Sequence, residues 1–345
     1  MRVLATIDQR VNLDLIDKKI LYLLAINSRF SYSTIAKHVN LSREAVKQRI
    51  NKLMEKKVVL GFQAMINGKL LGFSSYHVFL RLNKPQKKIE EELIKEISSD
   101  SEVNALLRYE GNFDFEVAYS LREISELDSK LKKLLSKDIN NYIFCVLLNN
   151  FISQTYPTCL HNLNMVLKQI RHDGSFQSEF SQQSKNKKVD LDKTDYELIS
   201  LLVEDARMSL TLISSKLNIS IDSVSYRIKK LISSKIIIQF RPIINYAALG
   251  FSVYSLFFRW KNITPEKENK FRYFLEAHKH ILWSTNCLGP FNNITYLIVK
   301  DTFEYHQIMG EIREKFYDII ETSESLLAFA EYKYLSFPTE TLKKI

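Results

Sequence analysis

The apolar positions of this chain switch between two periods. After Asp14, apolar residues recur at helical spacing (Ile16, Ile20, Leu21, Leu23, Leu24), which predicts a first helix to about Ile26. Ser31 opens a second short segment with Ile35, Ala36 and Val39 on one face. Asn40-Leu41 makes a turn, and Ser42 suits the N-cap of a third helix that turns Ala45, Val46, Ile50 and Leu53 inward. Three helices with a short turn before the third are the helix-turn-helix pattern. The period then falls to two. Residues 58–66 read as a strand leaving the head. Residues 73–82, 102–109, 113–121 and 142–153 read as further strands, with helices over 86–97 and 123–136 and a turn at Gly111-Asn112. The order β-α-β-β-α-β is the ferredoxin-like split unit.

The whole pattern occurs twice. At an offset of 178, residues 13–81 align with 191–259 without a gap, and 26 of the 69 pairs are identical. Arg29-x-Ser31 faces Arg207-x-Ser209, Arg49-Ile50 faces Arg227-Ile228, and Leu71-Gly72-Phe73-Ser74 faces Leu249-Gly250-Phe251-Ser252. Segments 251–261, 265–278, 281–288, 294–300, 303–316 and 326–335 repeat the split unit. The reading is therefore α+β, with two winged helix-turn-helix domains (1–68 and 189–246), each followed by a ferredoxin-like domain (69–160 and 247–345). A polar Ser-, Gln- and Lys-rich linker is expected over 161–188, entered by a short helix over 160–170. Each ferredoxin-like sheet leaves an apolar face uncovered, so two such sheets are expected to pack face to face, from the two copies or from two chains.

The third helix of each copy carries the candidate chemistry. Ser42, Arg43, Glu44, Lys47, Gln48, Arg49, Asn51 and Lys52 lie on its outward side. Arg and Gln can pair with guanine and adenine edges in the major groove, and a capped helix N-terminus can hold a phosphate. Ser31 and Tyr32 flank that face. The second copy offers Ser209, Ser220, Asp222, Ser223, Ser225, Tyr226, Arg227, Lys229 and Lys230, and has lost the cations at Arg43 and Lys47, now Ile221 and Ser225. Double-stranded DNA is the expected partner. A formal charge of +10 and a pI near 9.2 agree with a polyanion without demanding one.

Cys145, Cys159 and Cys287 form no CxxC pair, which points to a reducing, cytoplasmic setting. The N-terminus lacks the apolar core of a secretory signal, and the apolar run 142–148 is too short to span a bilayer. The eight glycines make no phosphate-cradling loop, and HExxH and GxSxG are absent, so no enzyme activity, cofactor or metal is expected.

In their order and spacing, occurring twice, these motifs resemble the Lrp/AsnC family of transcription regulators. Leu13-Asp14-x-x-Asp17-x-x-Ile20-Leu21 is similar to the family's opening helix, and Leu41-Ser42 with Val46 and Arg49-Ile50-x-x-Leu53 to its recognition helix. Asn67 with Leu71-Gly72 matches the hinge into the effector domain, and Gly111-x-Phe113-Asp114-Phe115 resembles the family's Gly-x-x-Asp-Tyr turn. The resemblance implies dimers joined through the ferredoxin-like domains. For many members it also implies an amino-acid effector between those domains, with Gly111 and Asp114 as the candidate contacts here. It leaves open a homo-oligomer or a pseudo-dimer inside one chain. There are departures: the family's glycine after the recognition helix is Lys57 and Lys235, and Asp114-Phe115 becomes Asn292-Asn293 in the second copy. Siroheme decarboxylases resemble the same architecture, which makes a tetrapyrrole enzyme the alternative. His278, His280 and Trp283 are the residues it would call on, although two histidines two apart at a helix end read more simply as solvated.

Overall fold

A computed structural model describes residues 2–3, 10–84, 86–160 and 190–342. The expected linker 161–188 lies outside them, as does the expected short helix beyond its first residue. In the first copy, β1 (Arg2–Val3) precedes helices α1 (Leu15–Ile26), α2 (Tyr32–Val39) and α3 (Arg43–Glu55). Then come β2 (Val59–Ile66), β3 (Ser74–Leu82), α4 (Lys87–Ser99), β4 (Val103–Glu110), β5 (Phe115–Leu121), α5 (Ile124–Leu135) and β6 (Ile139–Ser153). The second copy repeats this with α6 (Lys193–Glu204), α7 (Leu210–Leu217), α8 (Ile221–Ser233), β7 (Ile237–Ile244) and β8 (Ser252–Trp260). It continues through α9 (Pro265–Ala277), β9 (Ile281–Leu288), β10 (Asn293–Val299), α10 (Thr302–Phe316) and β11 (Ile320–Tyr334) to the four-residue α11 (Thr339–Leu342).

The elements sort into two compact units, and each takes parts from both copies. Of the described residues, a head unit comprises 12–72, 158–160, 190–244 and 335–342, and a sheet unit comprises 2–3, 10–11, 73–84, 86–157 and 245–334. Residues 335–342, assigned from the sequence to the second ferredoxin-like domain, fall in the head unit.

In the head unit every helix of the two heads starts on a side-chain cap. Asp14 accepts from the Asp17 N–H at 2.7 Å, Ser31 from Thr34 at 3.0 Å and Ser42 from Ala45 at 3.2 Å. Asp192, Ser209 and Ser220 do the same in the second copy. Asn40 and Asn218 end α2 and α7 in the left-handed region (φ 55° and 53°), which asparagine tolerates. Lys57 and Lys235 hold the same conformation after α3 and α8 (φ 55° and 61°) with no such help. Replacing either with glycine is expected to stabilise the head unit by about 0.5–1 kcal/mol, net of the added freedom of the unfolded chain. The check is the urea midpoint followed by far-ultraviolet circular dichroism, and a lowered midpoint would refute it.

The heads are joined by an antiparallel ribbon of β2 and β7 in which Gln63 faces Arg241. Those two residues are equivalents at the 178 offset, so a pseudo-twofold axis passes between them. The Arg29 guanidinium donates to the carbonyls of Ala206 (2.7 Å) and Met208 (3.1 Å). Arg207 returns the contact to the carbonyls of Ser28 and Phe30. Each arginine also lies over a ribbon phenylalanine, Phe240 or Phe62. The two heads are thus paired within one chain.

In the sheet unit each copy contributes four strands in ferredoxin-like order, and the two sets join edge to edge. The order is β1-β11-β4-β5-β3-β6-β9-β10-β8, and a β11–β8 pairing closes the eight long strands into a ring. β6 and β11 are long because each serves both copies. β6 pairs first with β3 and then with β9. β11 pairs first with β8 and then with β4, which is why it begins at Ile320, six residues before the predicted start. Its first half, Ile-Glu-Thr-Ser-Glu-Ser, is too polar to read as a strand. Helices α4 and α5 cover the outside of the first four strands, burying Leu93, Ile97, Leu127, Leu131 and Leu134 against Val78, Leu80, Leu106, Phe115 and Val117. In the second copy Phe271, Leu275, Ile308, Ile312 and Phe316 do so against Leu256, Phe258, Leu297 and Val299.

The inner face was expected to be apolar, and around the sheet unit's own pseudo-twofold axis, where equivalent residues meet, it is. Phe79 and Phe257, equivalents of one another, meet edge to face at 5.0 Å, each beside its copy's Phe113 or Phe291. Away from that axis the expectation fails. Glu116 is fully buried on the inner face and accepts from His77 Nδ1, from the Tyr109 hydroxyl and from the Tyr296 hydroxyl at 2.8 Å. The second copy has Ser255, Cys287 and Ile294 at the places of His77, Tyr109 and Glu116, so the network belongs to one side of the ring.

Candidate nucleic-acid interface

The outward face of α3 is set by which residues its core uses. Val46, Ile50 and Leu53 are buried against the head, which leaves Ser42, Arg43, Glu44, Lys47, Gln48, Asn51 and Lys52 exposed. The Arg43 side chain is 69% exposed, with the exposed Glu44 carboxylate 4.0 Å from its Nε. Ser42 uses its oxygen as the helix cap, and its O–H remains available to donate.

Arg49 differs from the others. Its guanidinium is held by Asp14 and Asp17 of α1, each at 2.7 Å. Those carboxylates raise the arginine's pKa. Burial alone would raise Asp14, but the Asp17 N–H and Arg49 outweigh it and hold the carboxyl below its ordinary value. Arg49 therefore braces α3 against α1. The second head repeats the brace: Arg227 meets Asp195 at 2.7 Å and Asp192 at 2.8 Å, and Lys230 meets Asp195 at 2.8 Å. Asp195 is fully buried between them. Of the residues proposed from sequence for DNA, Arg49, Arg227 and Lys230 thus have carboxylate partners inside their own heads. On α8, Ser220, Asp222, Tyr226 and Lys229 are exposed, and Ser223 and Ser225 are half-buried.

Between the heads lies an open cavity of about 510 Å³ whose lining includes Arg29, Ser31, Tyr32, Arg43, Arg207 and Ser209. Arg207 sits over the Tyr32 ring at 5.0 Å. Burial, and then the neighbouring Arg207 charge, lower the pKa of Arg29. Sequence reading proposed Ser31, Tyr32, Arg43 and Ser209 here and passed over the two latch arginines. Their identity in both copies was the available signal.

In the sheet unit Gly111 and Asp114 have structural duties. Gly111 has φ 144°, and a Cβ there would stand 2.5 Å from Leu326 Cδ2. Its equivalent Gly289 has φ 148°, and a Cβ there would stand 2.6 Å from the Phe144 carbonyl oxygen. Asp114 accepts from the Leu82 N–H at 2.7 Å, and Asn292 accepts from the equivalent Trp260 N–H at 2.8 Å. The Asp-to-Asn departure between the copies therefore leaves this strand-end cap intact.

The histidines of the enzyme alternative are not solvated. His280 is buried with Nδ1 2.9 Å from the Ile298 carbonyl and Nε2 3.4 Å from Glu304. His278 packs on Phe274 and faces Glu311 at 3.7 Å. In the first copy the same two places hold Asp100 and Glu102, which grip Lys130 of α5 at 2.6 and 2.7 Å. Both pairs fasten a helix to the sheet, the first through carboxylates on a lysine and the second through imidazoles beside glutamates.

Comparison with known proteins agrees with this architecture. The AsnC-type helix-turn-helix domain matches at residues 13–54 and again at 191–232. The HTH-type transcriptional regulator Ptr1 of Methanocaldococcus jannaschii is 32% identical over 128 residues, which is 37% of this chain and 85% of that one. An uncharacterized HTH-type transcriptional regulator of Pyrococcus abyssi is 29% identical over 129 residues, 37% of this chain and 80% of that one. A solved structure of the siroheme decarboxylase NirDL, in complex with an iron-uroporphyrin III analogue, shares the fold over 95% of this chain and 96% of its own, at a TM-score of 0.60 and 14% identity. Among the described residues no helix is long and apolar enough to cross a membrane. With the head motif present twice and a relative matched along most of its length, the chain belongs to the Lrp/AsnC family, in a tandem form.

Proposed function

We propose that the chain is a DNA-binding transcription regulator of the AsnC type whose two heads are presented as a preassembled pair. The observation that carries this is the division of labour on α3: Arg49 is taken up as a brace, while Arg43, Lys47, Gln48, Asn51 and Lys52 stand in solvent. In this reading Arg43 and Gln48 meet base edges, and Lys47, Lys52, Ser42, Ser31 and Tyr32 hold phosphates and sugar. Ser209, Ser220, Asp222, Ser223, Ser225, Tyr226 and Lys229 serve the second head. Arg49, Arg227 and Lys230 set helix orientation. A small effector such as an amino acid belongs to the proposal through the family alone, and Gly111 and Asp114 enter it as turn builders.

The test is a mobility-shift titration on a duplex spanning the chain's own promoter. Arg43→Ala with Lys47→Ala is expected to weaken binding by about 10- to 100-fold and, through the lost Lys47 phosphate contact, to flatten the salt dependence by about one unit of slope. Unchanged affinity and slope would refute the assignment of α3. The fold shared with NirDL over nearly the whole chain favours a second reading, in which the sheet unit handles a tetrapyrrole. Against it, His280 is buried, His278 is largely shielded, and both engage α10. A saturable change in the siroheme spectrum on titration with this chain would favour the second reading, and no change the first.

A further inference from the structure

We infer that the second head recognises thymine methyl groups, so that the two heads read half-sites of different chemistry; this rests on the DNA-binding reading above. The first, second and sixth residues of α3 are Arg43, Glu44 and Gln48, and those of α8 are Ile221, Asp222 and Tyr226. Ile221 is 45% exposed and Tyr226 70%, and α7 adds Leu212, 48% exposed, where α2 has Thr34. Between the copies a guanidinium, an amide and a hydroxyl have become an aliphatic, an aromatic and a second aliphatic side chain.

The frame beneath them has not changed. Ser220 caps α8 as Ser42 caps α3, both helices have 13 residues, and the Arg227 brace copies the Arg49 brace. The altered side chains are therefore displayed by the scaffold that displays Arg43 and Gln48. Lys216 and Lys229 remain exposed beside them. Cations around apolar residues on a helix of this type fit the major groove, where phosphates flank the edges and the thymine C5-methyl is the apolar group that a base pair offers. Burying one methyl is worth about fourfold in affinity.

The experiment starts from duplexes that the full chain selects from a random-sequence library. Each half-site is resynthesised with uracil in place of thymine, which deletes the methyl and preserves pairing. One half-site is expected to lose about fourfold per contacted methyl, and the other to be indifferent. The sensitivity should vanish in Ile221→Ser with Tyr226→Ser, both exposed and so without effect on folding, and should survive in Arg43→Ala. Overturning results are equal affinity for all uracil duplexes, persistence of the sensitivity in the double variant, or protection of a single half-site, as expected of a second head that binds protein. Failure to retain any duplex would overturn the DNA-binding reading itself, and this inference with it.

Discussion

Replacing Glu116 with isoleucine, the residue at the equivalent place in the second copy, is expected to destabilise the sheet unit by about 3–5 kcal/mol. The carboxylate is fully buried and accepts from His77, Tyr109 and Tyr296, and Tyr109 also shares a 2.6 Å hydrogen bond with Ser255. Burial and the Glu116 charge raise the pKa of both tyrosines, so each stays a donor. Deleting the acceptor strands the buried His77 and Tyr296 donors and leaves Tyr109 with Ser255 alone, at about 1–3 kcal/mol for each stranded group, offset in part by the added apolar contact. Two of the donors come from the same copy as Glu116 and one from the other, so the loss also loosens the ring between copies. Both tryptophans of the chain, Trp260 and Trp283, lie in this unit, and Trp283 stacks on His77. Denaturant unfolding followed by tryptophan fluorescence therefore reads this unit alone. Glu116→Gln, which keeps one acceptor oxygen, should lose less. Adding Tyr109→Phe and Tyr296→Phe to Glu116→Ile should recover part of the loss. A loss below about 1 kcal/mol for Glu116→Ile would refute the account.

What the sequence disclosed and what it hid divide along a physical line. The helical heads and the order of strands were legible because capping and periodicity act over a few residues: Ser42 and Ser220 announce α3 and α8 before any tertiary contact exists. Ring closure was not, because β6–β9 and β4–β11 join segments far apart in the chain. Glu116 left a trace, a carboxylate within Phe-Glu-Val-Ala-Tyr-Ser-Leu, but its partner Tyr296 lies 180 residues away. On the proposed recognition face, spacing did not distinguish the brace from the exposed side chains. Arg49 shares a helix surface with Lys47 and Gln48, so spacing alone makes it a DNA contact. Yet Asp14, Asp17 and Arg49 are all kept in the second copy as Asp192, Asp195 and Arg227, whereas Arg43, Lys47 and Gln48 all change. On these head helices, agreement between copies at Asp14, Asp17 and Arg49 marks the frame, and disagreement at Arg43, Lys47 and Gln48 marks the surface free to diverge. By that rule Arg29 and Arg207 also belong to the frame, and the latch bears this out.

His278 obeys neither copy's precedent, and its burial has a measurable price in acid. Burial first, and then the His280, Lys279 and Lys315 charges, lower its pKa to about 4, with Glu311 opposing. His280 is lowered too, again chiefly by burial and by Lys279 and Lys300, against the Ile298 carbonyl and Glu304. An unfolded histidine takes up its proton near pH 6.5. The unfolded state therefore binds the proton first as pH falls. The stability tied to neutral His278 is complete above about pH 6.5, declines from there to about pH 4, and is spent below. The gap corresponds to at most about 3 kcal/mol. Tryptophan-detected unfolding of the sheet unit is expected to show this decline, and His278→Gln, which cannot protonate, to show less of it. Carboxylates remote from His278 are common to both proteins, so the difference between the two curves isolates the imidazole. Parallel curves between pH 6.5 and 4 would mean that His278 is already hydrated in the folded state, which is what the enzyme reading would require of it.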